Sequence, residues 1–275
     1  MKKLTKIFIK NIFKPRAIDS NKGTHGHVLL IAGNIGKMGA AVISAKACLR
    51  AGAGLLTVNI PIDERFILQA AIPEAMLEIR ANKQSGFSNY TALGIGPGLG
   101  LTKDSLKILQ QILLSFTKPI LFDADALNLL AANKKLLLKI PANSIVTPHP
   151  KEFDRLFGNH KNQEERIKTA VNKSKELQIV IVLKGHQTII VKGTEIYLNT
   201  NGNAGLAKGG SGDALTGIIT AFLAQGYAPI NAAILGVYLH GEAADITLKK
   251  QSVESMLITD VIENLGKAFT NIYPK

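Results

Sequence analysis

The 275-residue chain has no tryptophan, a single cysteine, Cys48, and only 5% aromatic residues. One cysteine excludes an intrachain disulfide and a zinc site built on cysteine ligands. Cys48 lies in the apolar stretch "AAVISAKACLR" (40–50), which predicts a buried, unreactive thiol. The sequence also lacks an uninterrupted apolar run of about 18 residues, the length that spans a bilayer. We therefore expect a soluble cytoplasmic protein with no membrane span.

Acidic residues are scarce relative to basic ones. The chain has 33 Lys and Arg against 20 Asp and Glu, a net charge of +13. A basic balance favours an anionic partner, but nucleic-acid binding requires the charge to be concentrated on one face. Here the lysines are dispersed and aromatics are few. We expect an anionic small molecule and no nucleic acid.

The first twenty residues form a basic N-terminal arm. Lys6 and Lys10 interrupt its apolar residues, and no small-residue cleavage site follows. This pattern excludes a secretory signal peptide. Nothing in the composition marks a linker, so a single domain over residues 1–275 is predicted.

Short apolar runs alternate with helical periods along most of the chain. The predicted strands are 27–33, 54–60, 90–96, 119–125, 143–150 and 179–185, and the predicted helices are 39–53, 103–115 and 163–177. Such alternation predicts an α/β fold with a mostly parallel central sheet and helices on both faces. Residues 179–198 instead predict an antiparallel meander at the sheet edge. Three helical segments are predicted after residue 212.

Clusters of polar residues and glycines follow the predicted strands directly. They are Gly33–Gly39, Gly94–Gly100, Asp123–Asp125, Thr147–Glu152 and Lys184–Thr188. In an open α/β sheet these loops all emerge at the carboxyl edge, where ligands bind. We therefore expect one site at that edge.

The stretch "NGNAGLAKGGSGDALTGII" (201–219) holds five glycines between residues 202 and 212, followed by Asp213. Exposed backbone N–H groups and a helix N-terminus bind anions such as phosphate. Asp213 is then a candidate base that takes a proton from a hydroxyl attacking the phosphorus. The alternative is that Asp213 only caps the helix. Neither a Walker A loop nor a regular Rossmann fingerprint is present.

Three further motifs each allow two interpretations. In "TPHPKE" (147–152), two prolines hold His149 in place and Glu152 falls in the first turn of a helix, although an exposed loop histidine is the alternative. In "KGHQT" (184–188), a plain hairpin turn or a nucleotide-binding loop is possible. Asp123 and Asp125 could hold Mg²⁺, or Asp125 could cap the following helix.

These motifs together resemble the ribokinase-like superfamily, whose kinases carry a Gly-rich loop ending in an aspartate base, as in "GGSGD", and T-P-N-x-x-E before the nucleotide loop. His149 stands here in place of the Asn. With "DADALNLL", "GPGLG", "KGHQT" and "NGNAGLAKGGSGD" in this order, the chain is similar to the ADP-dependent NAD(P)H-hydrate dehydratase family over about residues 20–270. The resemblance implies a ribokinase-like three-layer fold. It also implies a two-step reaction on hydrated NAD(P)H, called NAD(P)HX. ADP phosphorylates the ring hydroxyl of NAD(P)HX, and loss of the phosphate then restores NAD(P)H.

The resemblance assigns roles residue by residue. Asp213 is the catalytic base and also contacts the substrate. The remaining roles are nucleotide binding by Lys184, Gly185, His186, Gln187, Thr188 and Gly212; stabilisation of the transferring phosphoryl group by Gly209, Gly210, Ser211 and Gly212; substrate binding by Ala40 or Ala41, Gly98 and His149; and the environment of Mg²⁺ by Glu152 and Asp123.

The resemblance further implies a homo-oligomer, often a tetramer, and a separate epimerase that interconverts the NAD(P)HX epimers. The roughly twenty residues before Gly23 are too few to encode one. The nearest competing function is that of a small-molecule kinase of the same fold that acts on a vitamin precursor. A non-catalytic nucleotide sensor and a nucleic-acid binder compete less strongly. His149 argues against the kinase and Asp213 against the sensor.

Overall fold

A single ten-stranded sheet runs through the residues that the structure, a computed structural model, describes: 1–80 and 86–273. Its strands are β1 (Lys2–Lys3), β2 (His27–Ile31), β3 (Leu55–Ile60), β4 (Met76–Ile79), β5 (Ala92–Ile95), β6 (Ile120–Phe122), β7 (Ile145–Val146), β8 (Val180–Leu183), β9 (Ile189–Lys192) and β10 (Glu195–Leu198). Their order is β1-β10-β9-β8-β7-β6-β5-β2-β3-β4. Strand β9 is antiparallel to both neighbours, whereas the other pairs are parallel. The predicted parallel sheet with an antiparallel edge is confirmed.

Helices cover both faces of this sheet. They are α1 (Lys6–Ile12), α2 (Met38–Arg50), α3 (Arg65–Ala71), α4 (Lys103–Ser115), α5 (Ala124–Ala132), α6 (Pro150–Phe157), α7 (Gln163–Glu176), α8 (Ser211–Ala224), α9 (Pro229–Leu248), α10 (Ile258–Glu263) and α11 (Leu265–Ile272). Helices α4 to α7 pack on one face, and the others lie on the opposite face. The three-layer ribokinase-like architecture is confirmed. The prediction of three helical segments after residue 212 is wrong, since Asn264 divides the last apolar segment into α10 and α11.

The central strands are apolar along their whole length because both sheet faces are buried. In β2, Val28 and Leu30 face the α2 and α8 layer, whereas Leu29 and Ile31 face the α4 and α5 layer. Helix α8 lies close against α2 because Gly217 has no side chain: a Cβ there would lie 2.0 Å from the Ser44 carbonyl oxygen. This close packing fixes the N-terminus of α8, which carries Asp213, above the sheet edge.

Three parts of the fold were not predicted from the sequence, and helix α3 is one of them. Strand β4 adds a parallel edge beyond β3, and part of the basic N-terminal arm packs on the domain. There β1 pairs with β10, and Leu4 and Ile9 are buried. Cys48 is buried as predicted, and burial raises the pKa of its thiol. Across the described residues, no helix combines the length and apolar character that crossing a membrane requires.

Candidate active site

The polar loops predicted to converge do follow the carboxyl ends of neighbouring strands. They come after β2, β5, β6, β7 and β8, which are consecutive in the order β8-β7-β6-β5-β2. Backbone hydrogen bonds tie adjacent loops together. Gly33 donates to Pro97, and Lys184 donates to Pro148. The prediction of one shared sheet edge is therefore confirmed.

A half-buried lysine with two carboxylates forms the centre of this edge. Lys184 Nζ lies 2.7 Å from Asp123 Oδ1 and 3.9 Å from Glu152 Oε2. The Lys184 side chain is 20% exposed, against 1% for Asp123. Burial lowers the pKa of Lys184, but the charges of Asp123 and Glu152 outweigh it and raise the pKa overall. The ammonium therefore stays charged and can be shared with an anionic ligand.

Asp213 lies in the first turn of α8, beside this cation. The N-cap of α8 is Gly210, with no side-chain capping bond, and no hydrogen-bond partner of the Asp213 carboxylate occurs among the described residues. The alternative that Asp213 only caps the helix thus lacks its defining bond. Burial, with the nearby charge of Asp123, raises the pKa of Asp213 to about 6, although Lys184 opposes this. A carboxylate with such a pKa is suited to accept a proton near neutral pH.

The glycine-rich segment places its backbone next to Lys184. A Cβ built on Gly212 would lie 3.2 Å from Lys184 Nζ and 3.4 Å from Asp123 Oδ2. Gly209 is exposed, while Gly210 and Ser211 are half-buried. The uncapped N-terminus of α8, the Lys184 ammonium and the Asp213 carboxylate therefore lie next to one another. An anion at the helix N-terminus would contact both the backbone N–H groups and the ammonium.

The loop Lys184–Thr188 forms the turn between β8 and β9. Gly185, His186 and Gln187 are exposed in it, and Thr188 Oγ1 donates weakly to the Gly185 carbonyl at 3.5 Å. The hairpin interpretation of this loop is confirmed, and the nucleotide-binding interpretation stays a prediction. The loop is a hairpin turn, and its first residue also points into the site.

His149 is the N-cap of α6. Its Nδ1 accepts hydrogen bonds from the backbone N–H groups of Lys151 and Glu152, and Glu152 Oε2 accepts from the His149 N–H at 2.8 Å. Because Nδ1 accepts, the neutral ring carries its proton on Nε2. Burial lowers the pKa of His149, and Glu152 partly opposes this. The imidazole is therefore fixed, neutral and able to donate through Nε2.

The two aspartates after β6 play different parts. Asp123 accepts from Lys184, and its Oδ2 also accepts from Thr216 Oγ1 at 2.9 Å. The alternative that Asp125 caps α5 is wrong: Asp125 Oδ2 accepts from the Gly100 N–H at 2.7 Å and ties down the Gly94–Gly100 loop. Thr216 was not predicted, although it lies three residues after Asp213 on the same face of α8.

The carboxylates proposed for Mg²⁺ are already engaged with protein donors. Within residues 1–80 and 86–273, no group of three or more His, Cys, Asp or Glu side chains could hold a metal ion. Mg²⁺ keeps several waters and is commonly bound by one or two carboxylates plus substrate phosphates. Asp123 and Glu152 fit that kind of site, and they do not fit an all-protein cage.

Gly98 and Ala40 lie against each other across two loops. A Cβ on Gly98 would come within 2.9 Å of both Ala40 Cβ and the Lys37 carbonyl. Ala40 is half-buried, whereas Ala41 is fully buried beside Gly33. Of the two alanines, Ala40 is thus the one that a ligand can reach.

Gly98→Ala is expected to destabilise the fold by about 2–4 kcal/mol, because a left-handed backbone and overpacking both oppose the new methyl group. Gly36→Ala is the matched control. Its φ of +72° is similar to the +61° of Gly98, but nothing lies within 4 Å of its Cβ, so about 1 kcal/mol is expected. Urea unfolding measures both. Equal losses would show that the Gly98 contact with Ala40 is loose.

Comparison with known proteins agrees with this geometry. A family model described as NAD(P)H-hydrate dehydratase matches residues 28–267. An ADP-dependent (S)-NAD(P)H-hydrate dehydratase of Neisseria meningitidis is 39% identical over 97% of this chain and 92% of its own length. A bifunctional NAD(P)H-hydrate repair enzyme of Moorella thermoacetica is 34% identical over 98% of this chain, which spans only 54% of that protein.

A solved structure gives the same result. The crystal structure of an ADP/ATP-dependent NAD(P)H-hydrate dehydratase from Bacillus subtilis, co-crystallised with ATP and Mg²⁺, superposes with a TM-score of 0.87. It is 31% identical and covers 98% of this chain and 97% of its own. The chain therefore belongs to the NAD(P)H-hydrate dehydratase family.

Proposed function

We propose that this protein dehydrates (S)-NAD(P)HX to NAD(P)H with ADP as phosphate donor, releasing AMP and phosphate. The observation that carries the proposal is the environment of Asp213. Its carboxylate has a pKa of about 6 and accepts no hydrogen bond from the described residues, and it lies beside Lys184 at the uncapped N-terminus of α8. That combination supplies a base and an anion site together. It matches a kinase-like step on a hydroxyl group.

The reaction is a phosphoryl transfer followed by an elimination. Asp213 accepts the proton of the ring hydroxyl, whose oxygen forms a bond to the terminal phosphorus of ADP, and the bond to AMP breaks. Phosphate then leaves with the ring C–O electron pair, and a proton leaves the neighbouring ring carbon, so the double bond of NAD(P)H is restored. The N-terminus of α8 at Gly209, Gly210, Ser211 and Gly212 stabilises the negative charge on the phosphoryl group.

The remaining roles divide along the sheet edge. Lys184 and the loop through Gly185, His186, Gln187 and Thr188 hold the nucleotide, with Gly212. Ala40, Gly98 and His149 contact the hydrated ring. Asp123 and Glu152 would hold Mg²⁺, which would neutralise the charge of the nucleotide phosphates.

The other proposed properties concern the setting of the reaction. We propose a cytoplasmic enzyme that forms a homo-oligomer, a tetramer in particular, and that shares its substrate with an NAD(P)HX epimerase. The bifunctional relative from Moorella thermoacetica is a repair enzyme about twice as long as the matched part. Analytical ultracentrifugation measures the oligomeric state, and a monomer would overturn the proposed homo-oligomer.

A vitamin-precursor kinase of the same fold is the second candidate, supported by the shared base and anion site. Its product separates it from the dehydratase: a kinase leaves a phosphorylated alcohol, whereas a dehydratase releases inorganic phosphate. Phosphorus NMR of the reaction with NADHX and ADP distinguishes them. A stable phosphate ester with no free phosphate would reject dehydration.

His149→Asn is expected to leave the free energy of unfolding within about 0.5 kcal/mol, because asparagine is a strong N-cap. The shorter side chain withdraws the Nε2 donor from the substrate. We expect kcat/KM for NADHX to fall about tenfold, the effect of one lost hydrogen bond. Urea unfolding and steady-state rates measure the two effects. Unchanged kcat/KM would restrict His149 to its capping role.

A further inference from the structure

An open cavity of about 370 Å³ lies at the same sheet edge, beyond the Ala40 and Gly98 contact. It is formed by the loops after β2, β3, β4 and β5, and residues that line it include Asn34, Asp63, Arg80, Thr102 and Gln111. None of them has a role in the proposed chemistry.

Arg80 is a charged group in this cavity without an ionic partner among the described residues. It donates to the carbonyls of Ala32, Gly33 and Asn59 and to the Asn59 side chain, so four of its five N–H groups are used. Burial lowers its pKa to about 10, which leaves the guanidinium charged at neutral pH. The sequence of residues 81–85 contains no Asp or Glu either. A half-buried cation that faces an open cavity favours an anionic ligand.

The loops that form the cavity also contact the loops of the site. Asn34 Nδ2 donates to the Leu99 carbonyl at 2.9 Å, next to Gly98, and Asn34 also lines the cavity. In the sheet order, three strand spacings separate β6, which is followed by Asp123, from β3, which is followed by the cavity residue Asp63. That is about 14 Å, a distance that an extended dinucleotide, with its two ribose groups and pyrophosphate, can bridge.

The acidic residues at the cavity are compatible with such a ligand. Asp104 is paired with Lys107 at 2.9 Å. Asp63 is exposed at the rim, where a carboxylate can accept hydrogen bonds from ribose hydroxyls, as in dinucleotide-binding folds.

We propose that this cavity binds the adenosine half of the hydrated dinucleotide, with the remaining N–H of Arg80 donated to one of its phosphates. The proposal rests on the proposed function and adds to it the residues that hold the non-reacting half of the substrate. The phosphate is either in the pyrophosphate, which both dinucleotides share, or the 2′-phosphate, which only NADPHX has.

The test measures binding of NADH and NADPH, by their own fluorescence, to four variants. Arg80→Gln removes the charge, and Arg50→Gln removes an exposed charge from the C-terminal end of α2, outside the cavity. Gln111→Trp fills the cavity, and Gln110→Trp places the same side chain on the exposed side of α4. We expect Arg80→Gln and Gln111→Trp to weaken binding about tenfold or more, and both controls to bind as the wild type does.

The two dinucleotides distinguish the phosphates. Equal losses for NADH and NADPH in Arg80→Gln assign the pyrophosphate, and a loss for NADPH alone assigns the 2′-phosphate. Unchanged affinity in Gln111→Trp overturns the proposal, even if Arg80→Gln binds poorly, because Arg80 also holds the loops of β2 and β3. A wild-type protein that binds neither dinucleotide would also overturn this proposal, whereas a failure of the proposed function would be seen as no NADH formed from NADHX.

Discussion

Asp213→Asn is expected to lower the turnover of NAD(P)HX by about 10² or more, the usual contribution of a general base. The affinity for ADP should stay within about twofold, since the proposed function assigns nucleotide binding to Lys184, its loop and the N-terminus of α8. The amide has the shape of the carboxylate but cannot accept the hydroxyl proton. Single-turnover rates and calorimetric ADP titration measure the two effects separately.

The pH dependence and the stability of this variant provide two further checks. Because Asp213 must be ionised to accept a proton, wild-type turnover should rise with pH through about 6, the raised pKa of its carboxyl group. The raised pKa also means that the ionised carboxylate destabilises the fold. Asp213→Asn should therefore be more stable than the wild type by about 1–2 kcal/mol at pH 7.5, and the difference should vanish below about pH 4.

Asp19→Asn, at an exposed position of the N-terminal arm, is the matched control and should change none of these quantities. Near-normal turnover in Asp213→Asn, or a wild-type profile that is flat through pH 6, would leave Asp213 as an ordinary first-turn residue. The proposed base would then have to be abandoned.

Lys184→Met is expected to weaken ADP binding at least tenfold and to destabilise the fold by about 3 kcal/mol, because Asp123 and Glu152 lose their buried cation. It should also move the rise in turnover to a pH above 6, since the positive charge of Lys184 lowers the pKa of Asp213. Calorimetry, urea unfolding and a pH–rate profile measure these effects. Lys192→Met on β9 removes a lysine from the same hairpin and should leave ADP affinity unchanged.

A second variant separates the loss of binding from the loss of stability. In Lys184→Met/Asp123→Asn, no carboxylate remains at position 123, so part of the lost stability should return, whereas ADP binding should not. Recovery of ADP affinity together with stability would mean that Lys184 only supports the fold. The loop Lys184–Thr188 would then be a plain hairpin.

The sequence predicted the site where its features are local. Strands followed by glycines or acids identify the carboxyl edge of the sheet, and His149 followed by Pro150 marks the start of α6. These signals depend only on the hydrophobic pattern and residue types of a few consecutive positions. The backbone of "GGSGD" likewise indicates the helix N-terminus without any knowledge of the fold.

Contacts between distant residues could not be predicted in this way. Lys184 and Asp123 are 61 residues apart, and neither motif contains a sign of the other. Asp125 accepts from the Gly100 N–H instead of capping its own helix, since it lies inside the first turn, two residues after the N-cap Asp123. Arg80 follows β4, a half-exposed edge strand whose alternation is too weak to be recognised.

The choice between Ala40 and Ala41 shows the same limit. Both alanines fit the motif. They differ only in burial, because Ala41 is fully buried in α2 beside Gly33 and Ala40 is not. The period of a helix tells which face a residue occupies, but two adjacent alanines lie near the boundary between faces. Three-dimensional packing decides between them.

The most direct test of the proposed function is the absorbance at 340 nm when the protein is mixed with NADHX, Mg²⁺ and either ADP or ATP. We expect the absorbance to rise with ADP as NADH is restored, with one inorganic phosphate released for each NADH formed. A rise with ATP alone would support the dehydration but reject ADP as the phosphate donor. No rise with either nucleotide, in a protein that binds ADP, would contradict dehydration and favour a kinase for another alcohol.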